Sequence, residues 1–371
     1  MPDPSPAAAP PALAELGWNA DWDDLFTTWR AEKLVPARVA IEDKHHYVVF
    51  GDGVMYTGQI TGKFLHESAS NTHLPKVGDW VAIAPLPNER KALIHAILPR
   101  KTQLVRKVPG REVEEQILVT NVDVAFITQA LDATFNLRRL ERFLVMTREG
   151  GVKPVVVLNK ADVCEDLESL IAQAQAVAGD ATVLAASART GKSIKALRAF
   201  IPATHTAVFI GTSGVGKSSL INRMYGEAIQ PTIEVRDSDQ KGRHATTWRE
   251  MIPLPSGGLV IDTPGMRELH LWMADESLGN AFADLEELAV RCHFRGCSHT
   301  LEKRCAVLEA VEAGVIPKDR FDSYLKLKRE SAELAALQTR HGQIERKRKT
   351  RMAQRAFNDL KRGQHPDSAD D

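Results

Sequence analysis

The chain is short of cysteine, of net charge and of long apolar runs, and each shortage removes a class of protein. Four cysteines in 371 residues, three of them crowded between residues 292 and 305, are too clustered for a disulfide framework and suit a metal site better. Lys plus Arg and Asp plus Glu stand at 48 each, a formal net charge of zero. The chain is therefore no global polycation, and any nucleic-acid surface has to be a local patch. No run approaches the ~20 apolar residues that span a bilayer, so no membrane partner is expected. The start, Met1 to Pro11, is rich in Pro and Ala and carries Asp3, without the basic start and continuous apolar stretch of a secretory signal. A cytoplasmic protein is expected.

What is present is a set of nucleotide motifs in an unusual order. Gly211-Thr212-Ser213-Gly214-Val215-Gly216-Lys217-Ser218 matches the Walker phosphate loop in full. The apolar run 207–210 precedes it as a buried strand, and Ser219 with residues 220–224 begins a helix. Glycines at 211, 214 and 216 let backbone N–H groups approach phosphate oxygens, and Lys217 adds a full charge toward the β and γ phosphates. Ser218 is predicted to ligate magnesium. The strand 259–261 leads into Asp262-Thr263-Pro264-Gly265, where Asp262 can hold magnesium through water and the Gly265 N–H can sense the γ-phosphate. Asn159-Lys160-Ala161-Asp162 follows the strand 154–158, and the Asp162 carboxylate offers acceptors to the N1–H and N2 amino donors that guanine has and adenine lacks. Ser187 and Ala188 stand where backbone N–H groups would meet the guanine carbonyl. Because the base-selecting motif comes before the phosphate loop, the order predicts a circularly permuted GTPase.

The length allows two or three domains. Residues 1–35 read as a flexible extension with a short amphipathic helix carrying Leu13, Leu16, Trp18, Trp22, Leu25 and Trp29. Residues 36–100 are short β-rich runs between Gly, Asp and Asn turns, which fits a five-stranded OB barrel and also an SH3-like one. A basic Gly/Pro-marked connector, 99–111, opens the segment 101–280, where strands and helices alternate as in a doubly wound α/β domain. In the loop Gly242-Arg243-His244-Ala245-Thr246-Thr247, Thr246 or Thr247 is the candidate for the switch threonine that reaches magnesium and the γ-phosphate.

Residues 281–371 hold Cys292, Cys297, His299 and Cys305. Three thiolates and one imidazole compose a closed tetrahedral set that suits one structural zinc ion. Cys164 is isolated and reads as a packed side chain. Past Lys318 the chain is helical and polar, with a basic run Arg346-Lys347-Arg348-Lys349 suited to RNA phosphates.

This combination resembles the ribosome small subunit-dependent GTPase A family (RsgA, also called YjeQ or YloQ). The strings Val77-Gly78-Asp79-Trp80-Val81, residues 136–142, Gly242-Arg243-His244 and Asp262 through Glu268 carry the resemblance, which covers nearly the whole chain after residue 35. It implies the OB form of the barrel and a late assembly factor of the small ribosomal subunit. Such a factor docks on the subunit and its rRNA with GTP and magnesium, hydrolyses GTP under stimulation by the subunit, and leaves with GDP, as a monomer. The family's run of three threonines is broken here by Ala245, and Thr246 is favoured as the magnesium ligand. Met266 stands where Ras-like GTPases carry the glutamine that orients the attacking water, so slow intrinsic hydrolysis is expected. His244 is the nearest candidate to place that water; an RNA-contacting or structural histidine is the alternative. Two other functions fit the motifs: an RNA-binding module whose nucleotide site only reports occupancy, and a GTPase acting on a non-ribosomal partner.

Overall fold

Short β-rich runs from residue 35 onward form a closed barrel, as seen in a computed structural model that describes residues 10–43, 46–68, 71–107, 115–227, 249–263, 282–333 and 336. Its strands are β1 (Val35–Asp43), β2 (His46–Phe50), β3 (Met55–Ile60), β4 (Trp80–Pro85) and β5 (Lys91–Ile97), with helix α1 (Ala20–Ala31) before them and α2 (Gly62–Glu67) after β3. They run in the order β1-β2-β3-β5-β4, and β4 returns to β1. β3 and β5 are parallel. This closed Greek-key circuit is the OB form. Ala37 and Val39, Tyr47 and Val49, Val81 and Ile83, Ala92 and Ile94 fill it, each pair two residues apart because successive strand side chains face opposite ways.

Of the stretch set apart as an extension, residues 10–35 pack on this barrel. Asn19 caps α1 by accepting from Trp22 N at 3.2 Å, and Trp22 and Phe26 are buried. Trp18 meets Trp80 edge-on at 4.8 Å. Phe26 takes the inward position that the periodic reading gave to Leu25, which is 41% exposed. The buried Arg38 guanidinium joins three segments, donating to Gly78 O at 3.3 Å, to Asn121 O at 2.6 Å and to Leu16 O.

The connector is more ordered than its Gly and Pro content suggests. β6 (Gln103–Lys107) and β7 (Glu115–Thr120) form a two-stranded antiparallel sheet. Next come β8 (Val124–Ala130), α3 (Leu137–Glu149), β9 (Lys153–Asn159), α4 (Leu167–Ala178), β10 (Thr182–Ala185), α5 (Ile194–Arg198), β11 (Thr206–Ile210), α6 (Lys217–Tyr225), β12 (Glu250–Pro253) and β13 (Leu259–Asp262). The sheet runs β10-β9-β8-β11-β13-β12, parallel except for β12. Its β8 and β11 are buried along their whole length, as strands covered by helices on both faces must be. The phosphate-loop strand β11 lies between β8 and β13 although three strands of the sheet precede it in the chain. This is the permuted G-domain arrangement. β12 also meets β1 at Ile41 and Glu250, so barrel and G-domain sheet run on as one 11-stranded ladder.

Helices α7 (Ala283–Ala289), α8 (Ala306–Glu312) and α9 (318–333) follow. α9 docks on α3 through charges. Buried Glu141 receives Arg138, Arg320 at 3.1 Å and the Ser323 hydroxyl at 2.7 Å, Arg320 also binds Asp284 at 2.8 Å, and Arg142 pairs with Glu330 at 2.7 Å. Among the described residues no helix is long and apolar enough to cross a membrane.

Candidate functional site

Loops at the C-terminal ends of the parallel strands gather the nucleotide motifs, where open α/β sheets bind ligands. After β11 the chain turns through Gly211 (φ +152°) and Gly216 (φ +91°). A Cβ at Gly211 would stand 2.4 Å from Thr128 O, and one at Gly216 would stand 2.2 Å from Asn159 Nδ2. Both positions therefore require glycine for space as well as for conformation. Val215 is buried, while Ser213 and Gly214 form the exposed rim and Thr212 is half-buried. The first backbone bond of α6 runs from Leu220 N to Gly216 O at 3.0 Å. The amides of Lys217, Ser218 and Ser219 thus lie ahead of the helical ladder at the positive helix end, which suits an anion.

Lys217 is 6% exposed, and its Nζ donates to Gly211 O at 3.1 Å and Thr212 O at 3.0 Å. Burial pushes the Lys217 ammonium down to about 8, opposed in part by the nearby Asp262 carboxylate. Phosphate in the loop would restore the charge, so nucleotide binding above that pH has to take up a proton. Affinity is expected to be flat below pH about 8 and to fall by up to about tenfold per pH unit above it. Titration calorimetry in buffers of different ionisation heat at pH about 8.5 reads the proton directly. Absence of uptake, or equal uptake by Lys217→Met, would contradict the assignment to this lysine.

Ser218 and Asp262 meet: the Ser218 hydroxyl donates to Asp262 Oδ2 at 3.0 Å. A hydroxyl and a buried carboxylate are hard oxygen donors of the kind that hold magnesium beside phosphates. Thr263, whose role the sequence reading missed, fixes the end of β13 by donating to Phe209 O at 2.6 Å. The predicted Thr246 (with its alternative Thr247), His244 and Gly265, together with Met266 and the basic run from Arg346, lie outside the described residues.

The base motif follows β9. Asn159 is 2% exposed and ties the pieces together: its Nδ2 donates to Val215 O at 2.8 Å, and its Oδ1 accepts from Ala188 N at 3.1 Å. Ser187 N donates to Lys192 O at 3.2 Å, so both N–H groups predicted for the guanine carbonyl have internal acceptors, with which that carbonyl would compete. A hydrogen bond from Ser187 holds the Asp162 carboxyl below the usual carboxylate range, with the Arg189 charge contributing. Arg189 Nη1 stands 3.7 Å from Asp162 Oδ2. Lys160 turns away to Asp132, its Nζ 2.7 Å from Oδ2. The sequence reading missed Asp132; the spacing of Asp132 and Thr134, an Asx-turn pair, was the available signal.

Cys292, Cys297, His299 and Cys305 come together with one ligand atom each, all within 4.8 Å of one another. Cys292 Sγ and Cys305 Sγ are 3.7 Å apart, and His299 Nδ1 is 3.7 Å from Cys292 Sγ and 3.3 Å from Cys305 Sγ. A tetrahedron with Zn–S of about 2.3 Å and Zn–N of about 2.0–2.1 Å has edges of roughly 3.5–3.8 Å; the Cys292, His299 and Cys305 separations lie close to that, and the chemistry of the four donors fits zinc. Cys305 also caps α8, accepting from Leu308 N at 3.5 Å. Cys164, half-buried, packs against the core apart from this cluster.

Comparison with known proteins agrees with this geometry. The model of a family described as RsgA GTPase matches residues 97–272. The chain is 42% identical over 332 residues to the small ribosomal subunit biogenesis GTPase RsgA of Opitutus terrae, covering 87% of this chain and 90% of that one. It is 40% identical over 345 residues to the protein of the same name from Syntrophotalea carbinolica, covering 91% and 94%. Among solved structures it is similar to YjeQ from Thermotoga maritima, with a TM-score of 0.59 and 27% identity over 81% of this chain and 99% of that one. It is similar also to YloQ, a circularly permuted GTPase, with a TM-score of 0.54 and 27% identity over 81% and 96%.

Proposed function

The chain belongs to the RsgA GTPase family, and from that premise we propose that it hydrolyses GTP as a late assembly factor of the small ribosomal subunit. It would bind the subunit and its rRNA in the GTP form and leave in the GDP form, as a cytoplasmic monomer. The observation that carries the nucleotide part is the bridge made by Asn159, whose amide joins the base motif to Val215 of the phosphate loop and to Ala188. Motifs separated by 56 residues of chain are thereby joined side by side. The family membership carries the choice of partner.

In this reading the amides and charge of residues 211–219 hold the phosphates. Ser218, Asp262 and Thr246 would hold magnesium, which neutralises charge on the phosphoryl oxygens when bound. Asp162 selects guanine, with Lys160 flanking it and Gly265 sensing the γ-phosphate. Residues 36–100 act as the OB barrel, 101–280 as the G domain and 281–371 as the zinc-binding domain with its basic tail, the barrel and tail supplying contacts to rRNA phosphates. Co-sedimentation with purified small subunits tests the partner: retention is expected with a non-hydrolysable GTP analogue and loss with GDP. Equal behaviour with both nucleotides favours an RNA-binding module, and no retention with either favours a non-ribosomal partner.

The zinc site is proposed as structural, because its donor set leaves no open position. Cys297→Ser is expected to lower zinc from one per chain and to destabilise the segment that carries α7 and α8, while nucleotide affinity stays nearly intact. Elemental analysis of the wild-type protein showing no zinc would refute it.

A further inference from the structure

Two cations bear on the Asp162 carboxylate, Arg189 by its distance and Lys160 by its place two residues away in the chain, and the structure holds them differently. Arg189 approaches Asp162 at 3.7 Å, but its side chain is 81% exposed, so water and salt weaken its claim. Lys160 is the greater threat to recognition. It sits two residues from Asp162 on a flexible four-carbon stem, and an ammonium settled on Asp162 would occupy the acceptors that guanine needs.

Asp132, at the turn after β8, holds that ammonium elsewhere. Its Oδ2 accepts from Lys160 Nζ at 2.7 Å. Its Oδ1 accepts from Thr134 N at 2.9 Å and from the Thr134 hydroxyl at 2.6 Å, which fixes the carboxylate before the lysine arrives. Leu131 N donates to Asn159 O at 2.8 Å, so the backbone carrying Asp132 is clamped to the strand end carrying the base motif. Partial burial raises the Asp132 carboxyl, yet the bonds from Lys160 and Thr134 outweigh it and leave a net lowering; the group stays anionic at neutral pH. Lys160 itself lies in the left-handed region, at φ +65°, a conformation that sets the direction in which its stem leaves the loop.

We propose that Asp132 is a positioning residue for base selection, anchoring the Lys160 ammonium so that the Asp162 carboxylate stays available to the two donors of guanine. This rests on the guanine-nucleotide reading of the cleft. Loss of Asp132 frees Lys160 to pair with Asp162, and the guanine 2-amino group then loses its acceptor.

The test compares GDP with IDP, which lacks the 2-amino group, by titration calorimetry on the full chain. The wild type is expected to favour GDP by about tenfold or more, the worth of a hydrogen bond to a charged acceptor. Asp132→Asn is expected to weaken GDP binding about tenfold and to bring the GDP/IDP ratio to within about threefold of unity, whereas Asp132→Glu keeps most of the preference. The mutant cycle with Lys160→Met separates positioning from a general loss of structure. In the Lys160→Met background, Asp132→Asn should leave the ratio unchanged, because the competing ammonium is gone. An Asp132→Asn variant that keeps the wild-type ratio, or that lowers it equally in both backgrounds, overturns the proposal. A wild type that binds ADP as well as GDP would instead overturn the guanine reading itself.

Discussion

His244→Ala is expected to remove most of the stimulation of GTP hydrolysis by the small ribosomal subunit while sparing GTP affinity. Met266 follows the glycine of Asp-x-x-Gly and has no side-chain donor or strong acceptor for the attacking water. Some other group has to place that water, and the His244 imidazole, two residues from Thr246, can do so when a docked partner completes the site. On a γ-phosphate, positioning and charge stabilisation by an added group are worth about 10³–10⁵ in rate in related GTPases, which sets the size of the loss. GTP affinity should be spared because the phosphate contacts are proposed to come from residues 211–219, not from this loop. Stimulation should weaken with salt as well, since docking on rRNA phosphates releases counterions. Full stimulation in His244→Ala would exclude the histidine and leave it an RNA-contacting or structural role.

Asp162→Asn is expected to cost between about ten- and a hundredfold in GTP affinity, the range for hydrogen bonds to a charged acceptor. It should also relax selection against xanthosine nucleotides. Guanine presents donors at N1 and N2, and an amide meets them with a donor of its own; xanthine presents a carbonyl at position 2, which the amide can satisfy. The structure adds a reason for the size of the effect. Ser187 stabilises the ionised Asp162 through a hydrogen bond, and a neutral amide gains less from it. Unchanged GTP affinity in a binding titration would remove Asp162 from base recognition.

The legible parts of this chain are those where local chemistry dictates the residue. Gly211 and Gly216 meet close approaches of 2.4 and 2.2 Å, Lys217 and Ser218 are the residue types that phosphate and metal chemistry would call for, and the Cys3His set offers the donors that one ion would need. Those motifs implied strand-end loops, and the structure brings Asn159, Val215 and Ala188 together as the permuted order requires. The five-stranded barrel was legible, but its OB topology was not legible from local pattern, because the β1–β4 and parallel β3–β5 pairings join residues whose local patterns do not differ between OB and SH3-like forms.

Other features were hidden because they depend on partners distant in the chain. Strand β6 lies in a stretch that reads as a basic connector, and it forms by pairing with β7 beyond the Pro-Gly stretch at 109–110. Periodicity placed Leu25 inward, but α1 turns Phe26 toward Trp18 and the barrel, since an aromatic ring buries more area there. The Asp132–Lys160 pair and the Glu141–Arg320–Asp284 network join charged residues that the sequence would leave in solvent, and no pattern within either segment marks its partner. The single Ile41–Glu250 bridge that continues the G-domain sheet into the barrel is likewise a product of tertiary packing.

Single-turnover hydrolysis of GTP by the whole chain, with and without purified small ribosomal subunits, tests the central claim most directly. The account predicts slow turnover alone, because Met266 leaves the water unplaced, and an acceleration of about 10³-fold or more when subunits are added at low salt. A rate that subunits do not change, from protein that binds GTP normally, would contradict it.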